Sequence, residues 1–235
     1  MNILALELAT EACSIAVQCG SRTAVRHAIA PRQHAELALP WSEECLAECG
    51  IAKNELDAIA ISVGPGAFTG VRLAIAMGQG MALALGKPLI GVSTLAVLAM
   101  EATRDGFVGN ILAVIDARMG EVYAARFAWN GTALTPLAPE VVIAPSLLDV
   151  AGVDGTWRAV GTGLDAAEGV LRSRLTCAMM PDALPHADML LALAHTVEPI
   201  APERVEPTYL RNNVALTLTE QRAARAAKAA ELAKK

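Results

Sequence analysis

Ile3-Leu4-Ala5-Leu6-Glu7, a short apolar run ending in an acid, has a counterpart about half the chain away in Leu112-Ala113-Val114-Ile115-Asp116. Each is followed by a turn and a returning apolar run. Ala9-Thr10-Glu11-Ala12 leads into Ser14–Gln18, and Ala117-Arg118-Met119-Gly120 leads into Glu121–Ala128. Runs of this length bounded by turn residues read as β-hairpins. A hairpin tipped by an acid and present twice predicts two related α/β lobes with a cleft between them, although two unrelated hairpins would satisfy the same pattern.

Working outward, Cys19-Gly20-Ser21 turns the chain into Thr23–Ile29 and makes a three-strand meander. Pro31 to Gly50 reads as a helix with Leu37, Trp41, Cys45 and Leu46 on one side and Gly50 as its stop. Leu56–Val63 alternates as a strand, with Ile59, Ile61 and Val63 on one face. An apolar helix follows, ending near Gly86-Lys87-Pro88, and Leu89–Val92 begins another strand. After the second hairpin, Asn130-Gly131 turns into Ala133–Ile143. Beyond Ser146 the signals weaken. Val160-Gly161-Thr162-Gly163 reads as a loop, Asp188–Glu198 as a short helix carrying His195, and Pro207–Asn213 as polar and extended. Glu220–Lys235, rich in Ala, Lys and Arg, is expected to be a frayed helix or a disordered tail.

Between the strand at 56–63 and the apolar helix stands Gly64-Pro65-Gly66-Ala67-Phe68-Thr69-Gly70. Its glycines permit a ligand or a second backbone to come close, and Thr69 is read as the cap of the helix. The loop lacks the Lys and the spacing of a P-loop. From Val71 to Leu85 the only strongly polar side chains are Arg72 and Gln79. A helix apolar on every side lies in a core or is covered by another molecule. Ala74, Gly78 and Ala82 recur every four residues, which suits close approach of a neighbouring helix. For a membrane span the run is short and contains Gln79.

The chain of 235 residues is 54% hydrophobic, only 3% aromatic, and carries a net charge of −5. That balance disfavours independent binding of a nucleic-acid backbone or stacking on bases. The N-terminus shows no basic region followed by a long apolar one, so a cytoplasmic location is expected. Five scattered cysteines read as buried small hydrophobes. Cys45 and Cys49, one helical turn apart, lack the second pair that a metal site needs. No two of the four histidines have metal-site spacing, and no serine sits in a nucleophile elbow. Glu7 and Asp116 remain as a paired-acid candidate that would hold a Mg²⁺–nucleotide through water, with local capping of the two turns as the alternative.

Gly64–Arg72 resembles the Gly-Pro-Gly-Ser-Phe-Thr-Gly-Val/Leu-Arg motif of the bacterial TsaB (YeaZ) family of tRNA threonylcarbamoyladenosine biosynthesis proteins. The similarity extends through Ile3–Val17, Pro31–Pro40, Gly91–Leu95, Ile115–Tyr123 and Glu206–Ala215. Two departures stand out. Glu7 takes the place of a common Asp, and Ala67 that of the motif serine.

The resemblance implies the two-lobed actin/Hsp70-like ATPase (ASKHA) fold, each lobe built on a ribonuclease-H-like core. On that reading residues 1–100 form the first lobe, 101–219 the second lobe with the C-terminal segment, and 220–235 a basic tail. It also implies a non-catalytic scaffold for TsaD, the transferase that completes threonylcarbamoyladenosine (t6A) on tRNAs reading codons that begin with A. TsaE would join the larger complex, tRNA would be met only through it, and the chain alone would form a homodimer. The implied interface comprises His34, Leu37, Trp41, Cys45, Thr69, Gly70, Arg72, Leu73, Ala74, Met77, Gly78, Met81 and Ala82. A vestigial nucleotide site would comprise Glu7, Thr10, Asp116, Gly161 and Gly163. No cofactor is required of this chain, and ATP or ADP at the cleft or in the complex with TsaD stays open. The rival reading is an autonomous enzyme, a glycoprotease-like peptidase or a phosphotransferase.

Overall fold

In the computed structural model, which describes residues 1–211, the two hairpins become the centres of two sheets. β1 (Asn2–Glu7), β2 (Ala12–Cys19) and β3 (Arg22–Ile29) form the antiparallel meander. β4 (Ala58–Ser62) adds parallel to β1, and β5 (Leu89–Val92) parallel to β4. The second sheet repeats this plan. β6 (Gly109–Arg118) pairs antiparallel with β7 (Glu121–Trp129), while β10 (Arg158–Val160) and β11 (Ala178–Met180) extend the other edge in parallel. The run at 133–143 is two short strands, β8 (Leu134–Pro136) and β9 (Val141–Ile143), both on β7.

Period-two alternation gives the first sheet two apolar faces. Leu4, Leu6, Ile15, Val17, Ile59 and Ile61 lie under α1 (His34–Cys49) and α2 (Phe68–Leu85). Ile3, Ala5, Ala16, Ala58, Ala60 and Ile90 lie under α3 (Thr94–Glu101) and α5 (Ala187–Ala194). α1 and α2 both end where Gly50 and Gly86 adopt left-handed backbone, the expected glycine stop. α3 has no sequence periodicity because it is buried nearly all round. Val97 and Met100 face α5, and Leu95, Leu98 and Ala99 face Ile111, Ala113 and Phe127 of the second sheet. The Ser93 hydroxyl caps it by accepting from the Leu95 and Ala96 amides.

A division at residue 100 therefore falls at the last turn of α3 and leaves α5 behind. This helix from the second half seals the inner face of the first sheet. α4 (Ala166–Arg174) packs Leu171 into the second lobe's own core. The segment after α5 then returns to the first lobe. Ile200 bridges to Leu89, Gln79 donates to the Pro202 and Val205 carbonyls, and the Thr208 amide donates to the Val63 carbonyl. The rest of the motif that begins at Glu206, and the basic tail at 220–235, lie outside the described residues.

Candidate functional site

Glu7 closes β1 and is fully buried. Its Oε1 accepts the Ala9 amide at 2.9 Å, whereas Oε2 has no partner among the described residues, nor does the Ser62 hydroxyl on the adjoining strand. Burial pushes the carboxyl up to about 8, against the smaller opposing pull of the Ala9 amide. Near neutrality Glu7 is thus a protonated acid inside the core. Asp116, at the matching end of β6, is half-exposed; it accepts the Arg118 amide at 2.8 Å and pairs with the Arg118 guanidinium at 3.0 Å. The paired-acid expectation fails on this geometry. A neutral, sealed carboxylic acid does not fit as an outer ligand of a Mg²⁺–nucleotide. The acids that share a small cavity with Asp116 are Glu11 and Asp165, not Glu7.

The loop glycines serve close contact of backbone against backbone within the chain. A Cβ on Gly66 would lie 2.4 Å from the Ala9 carbonyl oxygen, and one on Gly70 would lie 2.2 Å from that of Leu8. The Ala67 amide also donates to the Ala9 carbonyl at 2.7 Å. The loop is seated on the β1–β2 turn, so its glycines are explained without a phosphate. Gly161 and Gly163 are alike: a Cβ on Gly161 would meet the Val114 carbonyl oxygen at 2.2 Å, and Gly163 lies against Val114 and Ile115. The Thr10 hydroxyl accepts the Ala12 amide, closing the same turn. Thr69 does not cap α2. The cap position is Ala67, which has no side-chain oxygen to offer, and Thr69 is exposed one residue into the helix.

Between the lobes lies a cleft of about 550 Å³. Ala9, Val71, Ile115 and Tyr123 line it, and Phe68, Arg72, Tyr209 and Arg211 stand at its edge. Arg72 lies 3.6 Å over the Phe68 ring and donates to the Tyr209 hydroxyl at 2.9 Å, so α2 and the returning C-terminal segment meet here. Arg211 reaches the β6–β7 turn, donating to the Ala117 carbonyl and pairing with Glu121 at 2.5 Å. In that turn Arg118 and Met119 have φ of +62° and +57°, and Met119 is 84% exposed.

The two outer helices give the clearest surface. Ala74, Gly78 and Ala82, expected at a seam with another molecule, are instead buried against the chain's own sheet. A Cβ on Gly78 would lie 2.7 Å from Ile61 Cγ2. Cys45 is buried likewise, and His34 is held inward, its Nε2 within 3.0 Å and 3.1 Å of the Thr10 and Ala12 carbonyl oxygens. A second small stripe two residues on, Ala76, Gly80 and Ala84, faces outward, and a Cβ on Gly80 would have no atom of the described residues within 4 Å. Around it stand Thr69, Arg72 and Leu83, all exposed, with Leu73, Met77 and Met81 half-buried. Leu37 and Trp41 of α1 are half-buried on the same side of the sheet. α2 is long and apolar enough by length and composition to cross a membrane, and its inward stripe is instead seated on β4.

Elsewhere, chemistry-bearing groups are already engaged. Glu101, His186 and Asp188 converge within 4.8 Å, but Arg104 pairs with both acids, at 2.5 Å and 2.8 Å, where a cation would sit. All five cysteines are free; the Cys45 and Cys49 thiols point to the Ile15 and Val17 carbonyls, and burial raises Cys45 to about 11. Such thiols are poor nucleophiles.

Two sheets with one strand plan, each centred on an acid-tipped hairpin and facing the other across a cleft, define an actin/Hsp70-like (ASKHA) α/β protein. Known proteins narrow this. The family model for TsaD, tRNA N6-adenosine threonylcarbamoyltransferase, matches residues 25–156. The chain is 38% identical over 231 residues to the tRNA threonylcarbamoyladenosine biosynthesis protein TsaB of Escherichia coli (strain K12), covering 92% of this chain and 96% of that one. With the TsaB of Haemophilus influenzae it is 34% identical over 236 residues, covering 91% and 95%. The crystal structure of YeaZ from Pseudomonas aeruginosa superposes with a TM-score of 0.81 at 38% identity, covering 89% of this chain and 99% of that one. The chain belongs to the TsaB family.

Proposed function

We propose that this protein acts in t6A biosynthesis as a non-catalytic partner of TsaD, bound through the outward face of α2 and the adjoining edge of α1. The observation that carries the reading is the exposed Ala76/Gly80/Ala84 stripe with Leu73, Met77 and Leu83 beside it. An apolar helix face with a small-residue groove suits a close helix–helix seam, and burying it would remove the exposed Leu83 and the rest of the half-buried Leu73 and Met77 from water. Left alone, the same self-complementary face would form a homodimer. The neutral Glu7 and the loop seated on Ala9 support a role without metal–nucleotide chemistry in this cleft. TsaE and tRNA would be met in the larger complex, in the cytoplasm.

Reconstituted threonylcarbamoylation with TsaC, TsaD, TsaE, threonine, bicarbonate and ATP tests this, with and without the chain. Strong dependence on wild type, lost with Gly80→Trp while that variant keeps its melting temperature, is the expected result. Equal modification without the chain would refute the role, and full activity of the Trp variant would refute the face. The rival reading as an autonomous enzyme would be revived by peptidase or ATPase turnover that is lost on replacing Asp116.

A further inference from the structure

His27 on β3 and His186, the residue before α5, stack with ring centroids 3.5 Å apart and planes within 8°. The contact lies where the second half of the chain joins the first sheet. Next to it the Ala187 amide donates to the Ser14 hydroxyl of β2 at 3.0 Å, and that hydroxyl donates to the Arg26 carbonyl of β3. Asp188, in the first turn of α5, is gripped by both terminal nitrogens of Arg104 at 2.8 Å. His27 Nδ1 is buried without a partner among the described residues. The pair is thus built for two uncharged rings.

We propose that the His27–His186 stack is a proton-released latch, holding the start of α5 on β3 while both rings are neutral and freeing it when either is protonated. Charge on the pair is opposed from several directions. Burial opposes it most at both rings, the partner ring and Arg104 add repulsion at His27, and Arg104 adds it at His186. Asp188 attracts a proton, but its carboxylate is already shared with Arg104. From α3, Glu101 is committed to Arg104 as well. The positive end of the α5 dipole disfavours an imidazolium at position 186. Arg26, the neighbour of His27 on β3, points to the other face and pairs with Glu44 and Glu48 of α1.

These effects push His27 down to about 4 and lower His186 too. Each folded-state value lies below the unfolded value of 6.5, so the unfolded or open chain binds more protons. Stability of the closed form is therefore complete above 6.5 and is lost as pH falls toward 4.

The test uses the full chain and hydrogen exchange of the 187–194 amides, corrected for intrinsic rate, together with the imidazole titrations by NMR. Between pH 6.5 and 4 protection of these amides should fall progressively, by at least about tenfold, and level off below the His27 midpoint, while the β6 amides keep theirs. His27→Phe with His186→Phe preserves a stacked pair without charge and should hold α5 protected at pH 4; His27→Gln with His186→Gln serves as a second pair without a titrating ring. Unchanged wild-type protection through the His27 midpoint, an ordinary His27 midpoint near 6.5, or the same loss in the non-titrating variants would each overturn the latch.

Discussion

Replacing Glu7 by Gln isolates the energetic consequence of a buried acid at the end of β1. The wild-type carboxyl binds its proton at about 8 when folded and at an ordinary 4.5 when unfolded. Between those values the folded chain carries a proton that the unfolded chain has released, so stability falls as pH rises through the window and levels off above it. A gap of about 3.5 pH units at 1.36 kcal/mol each is about 5 kcal/mol in total, of which about 4 kcal/mol falls between pH 4.5 and 8. Gln keeps the volume, accepts the Ala9 amide with its oxygen, donates to Ser62 with its nitrogen, and has no proton to take up. Its additional N–H offsets the whole Gln curve by one amount at every pH, so the slope rather than the height carries the number. Urea unfolding of both proteins from pH 4.5 to 8.5 supplies the curves. Wild type should lose about 4 kcal/mol relative to the variant across the window. Curves parallel to within about 1 kcal/mol would refute the claim that Glu7 is a neutral core acid.

The two small stripes of α2 should respond in opposite ways. Gly78→Ala, its methyl driven against Ile61, is expected to destabilise by about 1–3 kcal/mol in spite of better helix propensity. Gly80→Ala, with open space around it, should stabilise by about 1 kcal/mol. Ala67→Ser restores a hydroxyl at the cap of α2 and should add about 1 kcal/mol, read from the thermal midpoint. Met119→Asn, at a left-handed position that Asn tolerates better, should add a few tenths to about 1 kcal/mol. Arg104→Ala would leave the buried Glu101 without its counter-charge and should cost about 3 kcal/mol or more, with the loss smaller at acid pH where Glu101 is neutral.

Much of the architecture was legible in the residues. The acid-tipped hairpins, the meander, both outer helices and their glycine stops follow from alternation, helical spacing and turn chemistry, which act within a few residues of one another. α3 escaped because burial on both sides erases periodicity. β10, β11 and α4 escaped because three-residue strands and a short helix are too brief to show a period. The expected cap at Thr69 was two residues late: Gly-Pro-Gly-Ala permits more than one helix start, and contact with Ala9 selects one.

Helix and strand identity, the duplicated hairpin and family membership were thus set by local pattern and motif, because backbone geometry answers to near neighbours. Direction was not. Ala74/Gly78/Ala82 and Ala76/Gly80/Ala84 are equally small and equally spaced, and only the position of Ile61 beneath α2 makes the first a core seam and the second a free face. Nor does any spacing tell that Glu7 is sealed and neutral while Asp116 is half-exposed and paired. Burial and the charges brought alongside by distant segments decide a side chain's protonation, and those are properties of the tertiary structure alone.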